Sequence, residues 1–89
     1  QYYDNQDLKA LDAEALSRRA RGLLKLGNVD ERRGDLEAAL KAYRSAFAST
    51  EEQLRRAPND PGRIFDHAQS VFYVGNISII RKEFVEGES

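Results

Sequence analysis

The sequence predicts an all-α fold of about three long helices packed as antiparallel hairpins, and three observations lead there. Strong chain breakers are few: Gly34-Asp35, the cluster Pro58-Asn59-Asp60-Pro61-Gly62, and Gly87. The long segments between them carry apolar residues at three- and four-residue steps, the period of one helix face. The first two breaks also supply helix-capping chemistry for the segments that follow.

In the first segment Leu8, Leu11, Leu16, Ala20, Leu23, Leu24 and Gly27 share a stripe, with Arg18, Arg19, Arg21 and Lys25 elsewhere. Asp7 or Asp12 can cap its start. The helix is expected to end near Arg33, because Gly34 takes the left-handed conformation that closes a helix at little cost. Asp35 caps the second helix, which begins at about Leu36 and is favoured by Glu37 in its first turn. Its stripe is Leu36, Ala39, Leu40, Tyr43, Ala46, Phe47 and Leu54, with Lys41, Arg44, Glu51, Glu52 and Arg55 facing water, until Pro58 forbids continuation. The third helix starts with Asp60 as cap and Pro61 in its first turn, where the missing N–H costs nothing. Ile64, Phe65, Ala68, Val71, Phe72 and Gly75 form its expected face, and Val74, Ile77, Ile79 and Ile80 extend apolar surface almost all round. Val71–Val74 and Ile77–Ile80 are rich in strand formers, but neither alternates polar with apolar and no hairpin turn separates them, so the helix is preferred.

Composition narrows function by exclusion. The 89 residues suffice for one domain, and 14 basic against 15 acidic residues leave no broad positive field for nucleic acid or an anionic membrane. With no Cys and one His there is no thiol nucleophile, disulfide or multi-histidine metal site, and no cofactor is expected. No run approaches the ~20 apolar residues of a membrane span. A start at Gln1 and the absence of Met suggest a processed protein or a piece of a longer one, with the cytoplasm as the expected compartment.

The chain also repeats itself. Leu26-Gly27-Asn28-Val29 returns as Val74-Gly75-Asn76-Ile77, an offset of 48 residues, and the register holds as Ala20 meets Ala68, Leu23 Val71, Leu24 Phe72, Arg33 Arg81, Asp35 Glu83 and Leu36 Phe84. Periods of roughly 20–50 residues mark stacked units that cannot each bury their own apolar face.

Leu23, Leu26-Gly27, Gly34-Asp35-Leu36, Ala39, Tyr43 and Ala46, in that order and spacing, resemble a tetratricopeptide repeat (TPR), whose usual period is about 34 residues. One full copy spans about 20–58 and a partial second about 61–89, within a single unit covering 1–89. Asp30 and Ser78 stand where the family usually has an aromatic, Lys82 replaces the turn glycine, and the closing proline comes late, at Pro58. The longer period reflects lengthened helices. The resemblance implies an α–α superhelix of antiparallel hairpins, with small residues where the helices of a hairpin cross, and a concave groove lined by successive first helices. Asn28 and Asn76 hold the position after the first-helix glycine that in this family often binds an extended peptide's backbone. By the same register Arg21, Leu24, Glu31, Arg32, Gln69, Phe72, Tyr73 and Ile80 face the groove. The lysine needed by the family's clamp for a C-terminal carboxylate is replaced by Leu24.

Other candidate sites carry less. His67 lies beside Asp66, but neighbours on a helix diverge by about 100°, no nucleophile accompanies them, and a packing or surface role is preferred. Glu51 and Glu52 diverge likewise. Arg18-Arg19-Ala20-Arg21 is diluted by Asp12, Glu14, Asp30 and Glu31 and reads as a solvated face. The Asn76-Ile77-Ser78 sequon lies within a helix and is expected to be accidental. No catalytic residue is assigned and no enzyme activity is expected. The expected function is a protein- or peptide-binding scaffold, with an oligomerisation or linking segment of a larger regulatory protein as the alternative. Because the second copy ends where its own second helix should run, the isolated chain is expected to form a homo-oligomer through Phe65, Phe72, Ile79, Ile80 and Phe84.

Overall fold

The computed structural model describes residues 8–87, with side chains to residue 82. A short 3-10 turn, Leu8–Ala10, precedes three α-helices: α1 (Ala13–Arg32), α2 (Leu36–Arg56) and α3 (Pro61–Gly87). The all-α expectation holds, and no strand occurs among the described residues. Helix α2 is the shared element, packed antiparallel against α1 on one side and α3 on the other.

Local chemistry sets the helix ends. The Asp12 carboxylate accepts from the Ala15 N–H at 2.8 Å and starts α1, so Leu8 and Leu11 lie outside the helix to which the stripe had assigned them; Asp7 is outside the described residues. Gly34, at φ +83°, closes α1: its N–H donates to Glu31 O at 3.0 Å, and that of Asp35 to Asp30 O at 2.9 Å. These bonds satisfy two terminal carbonyls and turn the chain within three residues. Asp35 then caps α2 by accepting from Ala38 N–H at 3.1 Å, and Asp60 accepts from Gly62 N–H at 2.9 Å at the head of α3.

The core runs along both flanks of α2. Leu16, Ala20, Leu23 and Gly27 of α1 are buried, as are Ala39, Leu40, Ala42, Tyr43 and Ala46 of α2. Gly27 has a specific cause: a Cβ there would stand 2.6 Å from Cδ1 of the Tyr43 ring, so the ring lies directly on the α1 backbone. Polar packing joins the same α1–α2 interface farther along α2. Arg19 donates to Ser45 O at 3.0 Å and to Ser49 Oγ, and Gln53 donates to Ala13 O at 3.1 Å. Glu52, expected to face water, is buried and held by Arg55 at 3.2 Å and Arg56 at 3.1 Å. Arg56 also donates to Leu8 O and Lys9 O, fastening the 3-10 turn to the end of α2.

Helix α3 packs through a different face from the one the stripe indicated. Ser70 and Ile77 are buried against α2, flanked by Tyr73 and Val74, while Ile64, Phe65, Ala68, Val71, Phe72 and Gly75 are exposed. The physical reason is that α3 offers apolar residues on several sides and α2 covers only one of them. Lys82, at the register position of Gly34, has no cheap access to positive φ, and α3 continues unbroken through it to Gly87. The side chain of Phe84 lies outside the described residues.

Two glycines of α1 give opposite expectations. Gly27→Ala drives a methyl into the buried Tyr43 ring and lowers stability by about 2 kcal/mol, or roughly 10 °C in Tm. Gly22→Ala, with nothing within 4 Å of its Cβ, gains up to about 1 kcal/mol from helix propensity. Thermal unfolding followed by circular dichroism distinguishes them by sign.

Candidate functional site

Two surfaces emerge once the expected site residues are placed. The first is a groove of about 120 Å³ along α2, with α1 and α3 as its walls. Ser17, Ala20, Arg21 and Leu24 come from α1, Thr50 and Gln53 from α2, Asp66 and Gln69 from α3. Arg21, Leu24 and Gln69, expected to face a common groove, are thus brought together, and Asp66 joins them with the opposite charge to Arg21. Arg21 donates to Ser17 Oγ at 2.9 Å, which orients its guanidinium along the wall. The volume is far below the roughly 300–1,000 Å³ of drug-sized ligand pockets, and suits a side chain of an extended peptide.

Other expected groove residues have different surroundings. Asn28 turns inward: its Oδ1 accepts from the Tyr43 hydroxyl at 2.7 Å, and Glu31 Oε1 lies 2.9 Å from the same hydroxyl. One phenolic proton therefore serves two acceptors, and both side chains brace the α1–α2 crossing. Burial first, then the hydrogen bond to Glu31 and the charge of that carboxylate, push the Tyr43 hydroxyl well above its ordinary pKa. Tyr73 is half-buried and stacks on Tyr43 with ring centroids 5.1 Å apart, so it serves the core of the α2–α3 interface. Arg32 and Asn76 are exposed.

The second surface is the outer face of α3. Phe65, Phe72 and Ile79 are 64, 65 and 59 % exposed, and Ile64 and Val71 are each 46 % exposed. Ile80 is half-buried, so it contributes less to this open patch than Phe65, Phe72 and Ile79.

The remaining candidates are held in structural contacts. His67 packs on Phe47 with centroids 4.8 Å apart, and its Nδ1 lies 3.1 Å from Thr50 Oγ1. With the Thr50 proton given to Phe47 O at 3.1 Å, His67 Nδ1 is the donor of that pair. The three arginines of the basic run part company around α1: Arg18 pairs with Glu14 at 3.1 Å, Arg19 reaches α2, and Arg21 lines the groove. Sequence reasoning missed Arg19 and Glu52 as structural residues. Helical spacing gives the direction of a side chain but not the partner a neighbouring helix will place there. Ser70 is buried with its hydroxyl unpartnered, a polar atom that the α2–α3 contact leaves unsatisfied. Among the described residues no group of three or more His, Cys, Asp or Glu could hold a metal ion, and no helix is long and apolar enough to cross a membrane.

The raised pKa of Tyr43 has an alkaline consequence. The unfolded chain loses this proton near pH 10 while the folded chain retains it, so stability is undiminished below pH 10 and falls as pH rises from there toward the folded value. Tyr43→Phe is expected to remove up to about 1.4 kcal/mol per pH unit of that slope. Denaturant titrations from neutral pH to above pH 10, with both proteins, measure it.

No protein-family model matches the chain, and comparisons with curated proteins and with solved structures find no match.

Proposed function

We propose that this chain is a protein-interaction module, a TPR-like helical repeat within a larger protein, whose groove receives an extended peptide or a projecting segment of a partner domain. The observation that carries this reading is the groove itself: two helices in 48-residue register flank a third and bring Arg21, Leu24, Asp66 and Gln69 to one channel. Arg21 supplies donors, Asp66 acceptors, and Gln69 both, which is the inventory needed to hold peptide groups and a polar side chain. Asn76, exposed beyond the groove, adds a further donor and acceptor. Asn28 contributes less, because its carbonyl oxygen is engaged by Tyr43.

Selection from a displayed library of random peptides on the immobilised chain tests the reading. Enriched peptides are expected to lose tenfold or more in affinity with the Arg21→Ala/Gln69→Ala variant at unchanged Tm. Peptides indifferent to that change, or no enrichment, overturn the groove as the binding surface.

A second reading, an oligomerisation or linking segment, is favoured by the open apolar face of Phe65, Phe72 and Ile79. It predicts a concentration-dependent monomer–dimer equilibrium in sedimentation that Phe72→Glu shifts to monomer. A monomer at every concentration excludes it for the isolated chain.

A further inference from the structure

The 48-residue register relates more than sequence. Every α1 residue buried against α2 has its counterpart on the open face of α3: Leu16 corresponds to Ile64, Ala20 to Ala68, Leu23 to Val71 and Gly27 to Gly75. The four α1 residues are buried and the four α3 residues are exposed. The converse also holds. Ser70, Val74 and Ile77, which meet α2, correspond to Gly22, Leu26 and Val29, all exposed on the far side of α1. Thus α3 carries a second copy of the surface with which α1 grips α2, and that copy is unoccupied by any described residue.

We infer that the Ile64–Ala68–Val71–Gly75 face of α3 is a docking site for an amphipathic partner helix of α2 chemistry, with a tyrosine seated on Gly75 and hydrogen-bonded to Asn76. The first crossing specifies the occupant. At Gly27 only a glycine admits the Tyr43 ring, and Asn28, one residue on, accepts its hydroxyl. At Gly75 the backbone is equally bare, with nothing within 4 Å of a Cβ, and Asn76 stands one residue on, exposed. Around the tyrosine the incoming helix needs small residues at the spacing of Ala39, Ala42 and Ala46, which let two backbones approach. It differs from α2 along one edge. Where α1 has Ser17 beside Thr50 and Gln53, α3 has Phe65, so the partner presents apolar side chains at those two places; where α1 has Glu31, α3 has Ile79, so the partner's tyrosine has one acceptor instead of two. A second copy of this chain does not supply such a helix from α2, whose Ala39, Tyr43 and Ala46 are fully buried. The site lies outside the groove and stands or falls independently of groove binding.

The probe is a synthetic peptide of residues 35–57 carrying T50L and Q53L, held helical by a lactam between its Glu37 and Lys41 side chains and labelled for fluorescence anisotropy. The full chain is expected to bind it saturably. Gly75→Ala in the chain weakens binding by tenfold or more while leaving the chain's Tm unchanged or higher, because that Cβ meets nothing in the free protein. A peptide with Tyr43→Phe binds several-fold more weakly to the wild-type chain and equally to an Asn76→Ala chain. Absence of binding overturns the inference. So does binding indifferent to Gly75→Ala, which signifies that the peptide has exchanged for the chain's own α2 or lies elsewhere. A homodimer on this face that the peptide does not dissociate likewise assigns the surface to a second copy.

Discussion

The seat of Tyr43 on Gly27 is the contact on which the architecture depends. Without a side chain at Gly27 the two helix backbones of the first hairpin approach closely enough for an aromatic ring to lie flat on one of them. The ring fills the crossing, its hydroxyl reaches Asn28 beside Gly27 and Glu31 one turn on, and its other side meets Tyr73 of α3. One side chain thereby joins all three helices. Interior packing leaves no slack for an added methyl at such a point, so the angle and separation of the hairpin are set there.

Helix α2 can be shared by two neighbours because its contact residues are small. Ala39, Ala42, Ser45, Ala46, Ser49 and Thr50 are buried around more than one side of the helix, and the hydroxyls of Ser49 and Thr50 have partners supplied across the interfaces or within the helix. Arg19 on Ser45 and Ser49, Gln53 on Ala13, and Arg63 on Gln53 O at 3.1 Å stitch the ends where apolar burial is thin. The pair between Glu37 and Arg81 is largely in water and adds orientation more than stability. A modest core is therefore distributed along a flat array of three helices.

The same economy leaves α3 with an open face. A helix in the interior of such an array must be apolar on two sides, one for each neighbour, and α3 has that character while only one side is used. Ser70, buried without a partner for its hydroxyl, shows that even the used side is not optimised for burial alone. Exposed Phe65, Phe72 and Ile79 are costly to leave in water, and they lie on the same helix as the exposed Gly75 and Asn76.

By itself the sequence determined what is local: three helices, their caps at Asp12, Asp35 and Asp60, the left-handed turn at Gly34, the buried Tyr43, and the 48-residue register that pairs Gly27 with Gly75. These follow from backbone conformation and periodicity, which act within a few residues. Only the tertiary structure decided which side of a helix meets which neighbour. Helical spacing placed Ile64, Phe65, Val71 and Phe72 on one apolar face, yet α2 covers Ser70 and Ile77, because a helix with apolar residues all round offers no preferred side until its neighbours compete for it. The same holds for the polar residues. Asn28 faced a groove by register but was drawn inward by the Tyr43 hydroxyl, since a hydrogen-bond partner in place outweighs the register. Glu52 is buried although both arginines that pair with it lie on its own helix, so its burial comes from tertiary neighbours that helical spacing does not name.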